Sequence, residues 1–181
     1  MNKLLLGAIL FLISSTVAQA GNSARSGHLG DYSDNLFYHQ SYRLQTIDVK
    51  ERYDKPCFME ARFLGSDTNG GPDFQTVQQN NCRFSPFEGA NSAVGLTYGD
   101  IRYLRVCHSS SGRVKGYKIG GYNNQGLWDT DAYVRPNCSN WKREVYCPKG
   151  EVANGIRGYF KATSGTKSDI LVGMQLLCRA D

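Results

Sequence analysis

The sequence predicts an all-β fold assembled from one small sheet module used three times. Asp73, Asp129 and Asp169 each stand nine residues ahead of a cysteine, namely Cys82, Cys138 and Cys178. Each of those cysteines also follows a partner upstream: Cys57 to Cys82 spans 25 positions, and Cys107 to Cys138 and Cys147 to Cys178 span 31. Repetition at a fixed offset marks a supersecondary unit reused along a chain. Composition agrees, since 20 glycines, 11 tyrosines and many short β-branched or aromatic runs favour strands and turns over helices.

Taken from the start, residues 1–20 read as a secretory signal peptide. Lys3 gives the positive start, Leu4 to Val17 the apolar run, and Ala18-Gln19-Ala20 the small-x-small cleavage signature. The run is shorter than the ~20 apolar residues of a spanning helix. No later run is longer, so export is expected without a membrane span, to the extracellular space or a bacterial periplasm. Residues 21–35 (GNSARSGHLGDYSDN) are small and polar and predict a flexible N-terminal arm. Residues 36–181 are expected to form a single domain of three units, long enough to bury one core. An even number of cysteines in an exported chain predicts disulfides. There is no C-x-x-C and only His108 lies near a cysteine, so neither a metal site nor a cofactor is expected.

Within the second and third units, strand-like runs enter the first cysteine (Ile101 to Cys107, Trp141 to Cys147). A turn and a glycine-centred second strand follow (114–119, 152–160). A polar loop then ends at the recurrent aspartate, and a third strand runs to the closing cysteine. Ile170, Val172, Met174, Leu176 and Cys178 fall on one face of that strand by the period-two rule, as do Ala132, Val134 and Cys138. In the first unit the third strand, Phe74 to Asn81, is more polar and matches by spacing. Six cysteines admit many pairings; strands lying side by side within a unit favour Cys57–Cys82, Cys107–Cys138 and Cys147–Cys178. Each such link is worth about 3–4 kcal/mol by loop entropy. Three sheets that each bury one face close round a common core as a triangular prism, with a β-sandwich as the alternative.

The formal charge is +5, yet lysines and arginines are scattered singly. That argues against a nucleic-acid partner, which needs a basic stripe, and leaves attraction to an anionic cell surface or acidic glycan. No Gly-x-Ser-x-Gly, unpartnered cysteine or His-Glu-x-x-His is present, so no catalytic residue is assigned. His28, His39 and His108 stand singly and read as surface histidines. Asp129 and Asp131 alternate along one strand face, either as a solvated pair or as carboxylates for glycoside chemistry. The recurrent Asp73, Asp129 and Asp169 read first as turn formers and second as acceptors for sugar hydroxyls. The richest loop is Gly120 to Asp129. Tyr122 and Trp128 offer flat apolar faces, Asn123, Asn124, Gln125 and Asp129 offer donors and acceptors, and the glycines permit close approach. These six are the candidate carbohydrate-binding residues; the alternative is an ordinary turn followed by a core tryptophan.

Trp141, Cys147, Gly150, Ala153, Gly155, Asp169, Gly173, Leu176 and Cys178 follow a pattern. It is Trp, then Cys-x-x-Gly-x-x-Ala-x-Gly, a Gly/Asp turn, and Gly-x-x-Leu-x-Cys. In this, residues 141–178 resemble the vitelline membrane outer layer protein I family. The second unit is similar through Cys107, Gly116, Asp129 and Cys138, and the first through its cysteines and Asp73. One departure is Ser168-Asp169-Ile170 in place of a doubled Asp-Asp-Thr-Ala turn. The resemblance implies a β-prism of three Greek-key sheets, an architecture found also in jacalin-type lectins. Fold analogy of that kind speaks weakly about activity. The function expected is that of a secreted non-catalytic binder of a glycan or cell-surface glycoconjugate. Two other classes remain: a glycan-active enzyme using Asp129 with a second carboxylate, and a structural or inhibitory module with a protein partner.

Overall fold

The computed structural model describes residues 21–83, 92–96, 98–164 and 168–181. The expected signal peptide lies outside them. In chain order the strands are β1 (Ser26–Gly27), β2 (Tyr32–Phe37), β3 (Arg43–Arg52), β4 (Lys55–Ser66), β5 (Pro72–Asn80), β6 (Val94–Gly95), β7 (Asp100–His108), β8 (Val114–Tyr122), β9 (Trp128–Val134), β10 (Asn140–Trp141), β11 (Val145–Tyr146), β12 (Glu151–Lys161) and β13 (Ile170–Ala180). They form three antiparallel sheets ordered β6-β3-β4-β5, β10-β7-β8-β9 and β2-β12-β13-β1, with β11 also on β7. Each order sets three consecutive strands side by side and returns a fourth beside the first, which is a Greek key. In the last sheet the count runs through the chain ends, from β12 and β13 to β1 and β2. The fold is the expected β-prism with pseudo-threefold symmetry, not the sandwich.

Bulges repeat with the symmetry. The first strand of each key carries one near its start, at Gln45, Arg102 and Asn154, and the second strand carries one at Cys57, Lys115 and Val172. A bulge reverses which residues face inward. After Lys115 the buried set is Tyr117 and Ile119, while Val114 serves the core before it. The bulge at Val172 likewise puts Leu171 in the core with Met174 and Leu176, correcting the unbroken face expected from Ile170 onward. The core also takes in Leu44, Ile47, Met59, Phe63, Ile101, Leu104, Ile156 and Phe160, all fully buried. Tyr117 carries the one phenol among the fully buried side chains. Its oxygen accepts from Val49 N at 3.0 Å and donates to the Ser92 carbonyl, so no polar group is stranded.

All three cystines pair as expected, with Cα–Cα distances of 4.9, 5.7 and 5.7 Å. The sequence units and the sheets are nevertheless out of phase. The run Trp141 to Cys147 does not open its own sheet: β10 and β11 pair with β7, and Cys147 N donates to Arg102 O at 2.8 Å. Cys147–Cys178 thus ties the exit of one sheet to β13 of the next. Asp73 and Asp129 are both second residues of the third strand in their keys, facing Gly65 and Gly121. Asp169 instead precedes a second strand, so the threefold aspartate is twofold in space.

Residues 21–35 are not a loose arm. Ser26 is fully buried; its Oγ accepts from Val106 N at 3.0 Å and donates to Arg143 O at 2.8 Å, filling the break between β10 and β11 along β7. Ser23 Oγ accepts from Leu176 N at 3.0 Å in the same way. Small polar composition looked like disorder because these hydroxyls stand in for missing backbone partners. Gly27 (φ +97°) lets the chain pass against the ring of His108, which is fully buried rather than on the surface.

Candidate functional site

The loop after β8 is a five-residue hairpin, and the loop after β4 is built identically. Asn123 N donates to Leu127 O and Asp67 N to Gly71 O, both at 2.8 Å, with Gly126 and Gly70 at φ +73° and +80°. Asn123 Oδ1 accepts from Gln125 N and Leu127 N at 3.0 Å, and Asp67 Oδ1 accepts from Asn69 N and Gly71 N at 2.8 and 2.7 Å. Asn123 is therefore a turn former whose carbonyl is already occupied. Asn124 and Gln125 sit on the convex, exposed tip.

Tyr122 and Trp128 face each other across the base of this hairpin, their rings 5.4 Å apart and edge-on. Trp128 is 48% exposed, so it is not a core tryptophan. Asp129 follows it on the strand and points to the other face. Its Oδ1 accepts from Thr130 N at 2.7 Å. Asp131 accepts from Gly95 N at 2.9 Å and Ala132 N at 2.8 Å, which fastens β9 to β6. Ala132 and Val134 turn outward on this edge strand while Tyr133 packs toward Tyr117.

Asp73 and Asp169 are also engaged in structure. Tyr42 donates to Asp73 and Tyr32 donates to Asp169 Oδ2 at 2.6 Å. The Tyr42 phenol holds the Asp73 carboxyl below its usual range, and that bond raises Tyr42 to about 12. The Tyr42 ring lies over Gly65, where a Cβ would meet it at 2.6 Å. Of the three aspartates, Asp129 alone is exposed and takes only a local backbone bond among the described residues.

What the fold assembles around Trp128 is a hollow of about 180 Å³ on the outer face of the β7–β8–β9 sheet, lined by Tyr103, Lys118, Trp128, Thr130, Glu144 and Tyr146. Gly120 is its floor. A Cβ there would meet Thr130 Cγ2 at 3.0 Å and the rings of Trp128 and Tyr103 at 3.2 Å. Glu144 is held from three sides: Tyr146 Oη donates at 3.1 Å, and Tyr103 Oη and Arg105 Nη1 donate at 3.4 Å. Burial, then the Glu144 charge, pushes the Tyr103 phenol up to about 12, so it stays a donor through the physiological range. The chemistry on offer is two exposed aromatic faces, a fixed carboxylate acceptor and an ammonium donor, which together suit a polyhydroxylated ring. Tyr103, Lys118, Glu144 and Tyr146 were missed in the sequence because Glu144 and Tyr146 belong to the next unit and reach this sheet only through β11.

The class defined by this topology is the β-prism fold, which solved lectin structures share. The agglutinin of Calystegia sepium shares it at a TM-score of 0.55 and 13% identity, over 91% of this chain and 99% of that one. The lectin named Calsepa, in complex with a bisected glycan, matches at 0.55 and 12% over 90% and 99%. With a biantennary N-glycan it matches at 0.50 and 12% over 91% and 99%. No protein-family model and no curated sequence matches the chain.

Proposed function

We propose that this is a secreted, disulfide-stabilised, non-catalytic glycan-binding protein, lectin-like in action, that seats a sugar ring in the hollow at Trp128. The observation that carries this reading is the convergence of Trp128, Tyr103 and Tyr146 on a glycine floor beside the pinned Glu144 carboxylate. An aromatic ring held half open to water on a rigid sheet presents a flat apolar face, which a sugar's C–H side can cover. The prism shared with lectins crystallised with glycans supports the reading, as does the likeness of residues 141–178 to the vitelline membrane outer layer protein I family, which we take as shared architecture. Export accords with the three cystines. Asn123 belongs to the scaffold of this site, with Tyr122 and Trp128 as its contact surface.

The test is a glycan array with the oxidised protein and its Trp128→Ala variant. Binding to a defined set of glycans is expected, weakened about tenfold or more by the substitution, with a change in tryptophan emission on titration of the wild type. An array without binders, or binders indifferent to Trp128→Ala, would sink the reading. Gly120→Val makes an independent check. It fills the hollow, so glycan binding should disappear while the far-ultraviolet circular dichroism of the sheets is kept.

A further inference from the structure

We propose that the equivalent face of the β3–β4–β5 sheet is a second, separate ligand site, selective for a saccharide carrying a carboxylate or a sulfate. The inference rests on the reading of the protein as a glycan binder. The two faces correspond residue by residue: Arg62 and Lys118 each stand three positions before the glycine opposite the recurrent aspartate. Their chemistry differs. Two contiguous hollows, of about 260 and 520 Å³, share Gln45 and Tyr98 and run along this face. Arg43, Arg62 and Arg179 line them, and no carboxylate does among the described residues. Arg43 is ion-paired with Asp100 at 2.6 Å. Arg62 has no carboxylate partner among the described residues; its guanidinium lies 4.7 Å over the Phe74 ring. A guanidinium held over an aromatic ring keeps N–H groups free for an anion, and its fork suits a planar carboxylate or a sulfate.

Tyr98 is the second observation. It follows β6 on the opposite edge of the sheet from Phe74, yet the two rings meet 6.0 Å apart over the groove. Its backbone is left-handed (φ +54°), unfavourable for a residue with a Cβ, and its ring is 50% exposed. Strain without burial brings no stability, so its use is presentation of the ring. Phe74 and Tyr98 then form the apolar wall and Arg62 the anion contact. The positive formal charge of the chain draws such a ligand in.

The experiment is calorimetric titration of the oxidised protein with polygalacturonate oligosaccharides, heparin-derived oligosaccharides and neutral dextran oligosaccharides of matched length. One or both anionic probes are expected to bind, less tightly as salt is added, and the neutral probe not to bind this face. The stronger of the two names the anion. Arg62→Ala and Phe74→Ala should each weaken the anionic probe about tenfold, whereas Trp128→Ala should leave it unchanged. Tyr98→Gly should weaken binding while raising the melting temperature, a combination that a merely structural tyrosine does not give. Anionic binding lost in Trp128→Ala but kept in Arg62→Ala overturns the second site and leaves the Trp128 reading standing. Equal binding of neutral and anionic probes, or none of the anionic ones, overturns it also.

Discussion

Lys115→Met is expected to lower the unfolding free energy by roughly 3–5 kcal/mol, the usual loss when one partner of a buried ion pair is removed. Lys115 is the bulged residue of β8, and its side chain is fully buried toward the β3–β4 turn of the neighbouring sheet. All three of its protons are used: Glu51 Oε2 accepts at 2.5 Å, and Asp54 Oδ1 and the Asp54 carbonyl at 2.6 Å. The other Glu51 oxygen takes Arg135 at 2.9 Å. The turn it grips is strained, with Tyr53 and Asp54 at φ +47° and +62°. Removing the ammonium leaves the largely covered Glu51 carboxylate with one contact fewer and releases a turn that the surroundings were holding. Asp54 is 55% exposed and can rehydrate, so most of the loss falls on Glu51. Urea unfolding should move to a lower midpoint with an unchanged slope. A midpoint within experimental error of the wild type would remove Lys115 from this role.

The second large effect is acid lability from His108. The ring is fully buried 4.7 Å from the ring of His28, and neither nitrogen makes a well-formed hydrogen bond among the described residues, the Val172 backbone being its polar neighbour. Burial first, then the Lys142 and His28 charges, push the imidazole from 6.5 down to about 4. The folded protein therefore keeps the ring neutral while the unfolded chain takes up a proton below pH 6.5. Stability falls as pH drops from 6.5 toward 4, by about 3 kcal/mol in all, and this group adds nothing more below that. Asp54 and Asp73 act in a different window. Their carboxyls are held below 3.8, chiefly by the Lys115 ammonium and the Tyr42 phenol, and they lose their contribution only in stronger acid. His108→Phe keeps the shape and removes the two nitrogens, neither of which is well satisfied. Melting temperatures at pH 7.5 and pH 5 should differ clearly in the wild type and much less in the variant. Parallel pH profiles would refute the assignment.

Much of the architecture could be read from residues close together in sequence. Cystine pairing followed from the spacing of Cys57, Cys107 and Cys147 to their partners, and the turns followed from the glycines at 112, 126 and 150, all at positive φ. Phase was harder. One bulged residue reverses every later side chain, and nothing local marks Lys115, Val172 or Asn154 as bulged. The repeat of aspartates held for Asp73 and Asp129 and failed at Asp169, because the third Greek key begins after β11 has been lent to the second sheet.

For the site, Tyr122 and Trp128 were legible as aromatics flanking a Gly/Asn turn, whereas their partners were not. Glu144 and Tyr146 reach the hollow through pairing of β11 with β7, and Arg62, Phe74 and Tyr98 meet across a sheet from two strands and the turn after β6. On its own, then, the sequence determined the strand class and the cystines, since each depends on a residue's own backbone preference or on short loop closure. Tertiary structure alone decided which faces carry the aromatic and basic groups, that Ser26 and His108 are interior, and where the charges are buried. Those outcomes depend on strand register and on which distant segment fills an open edge, and both are settled by packing energy summed over the whole core.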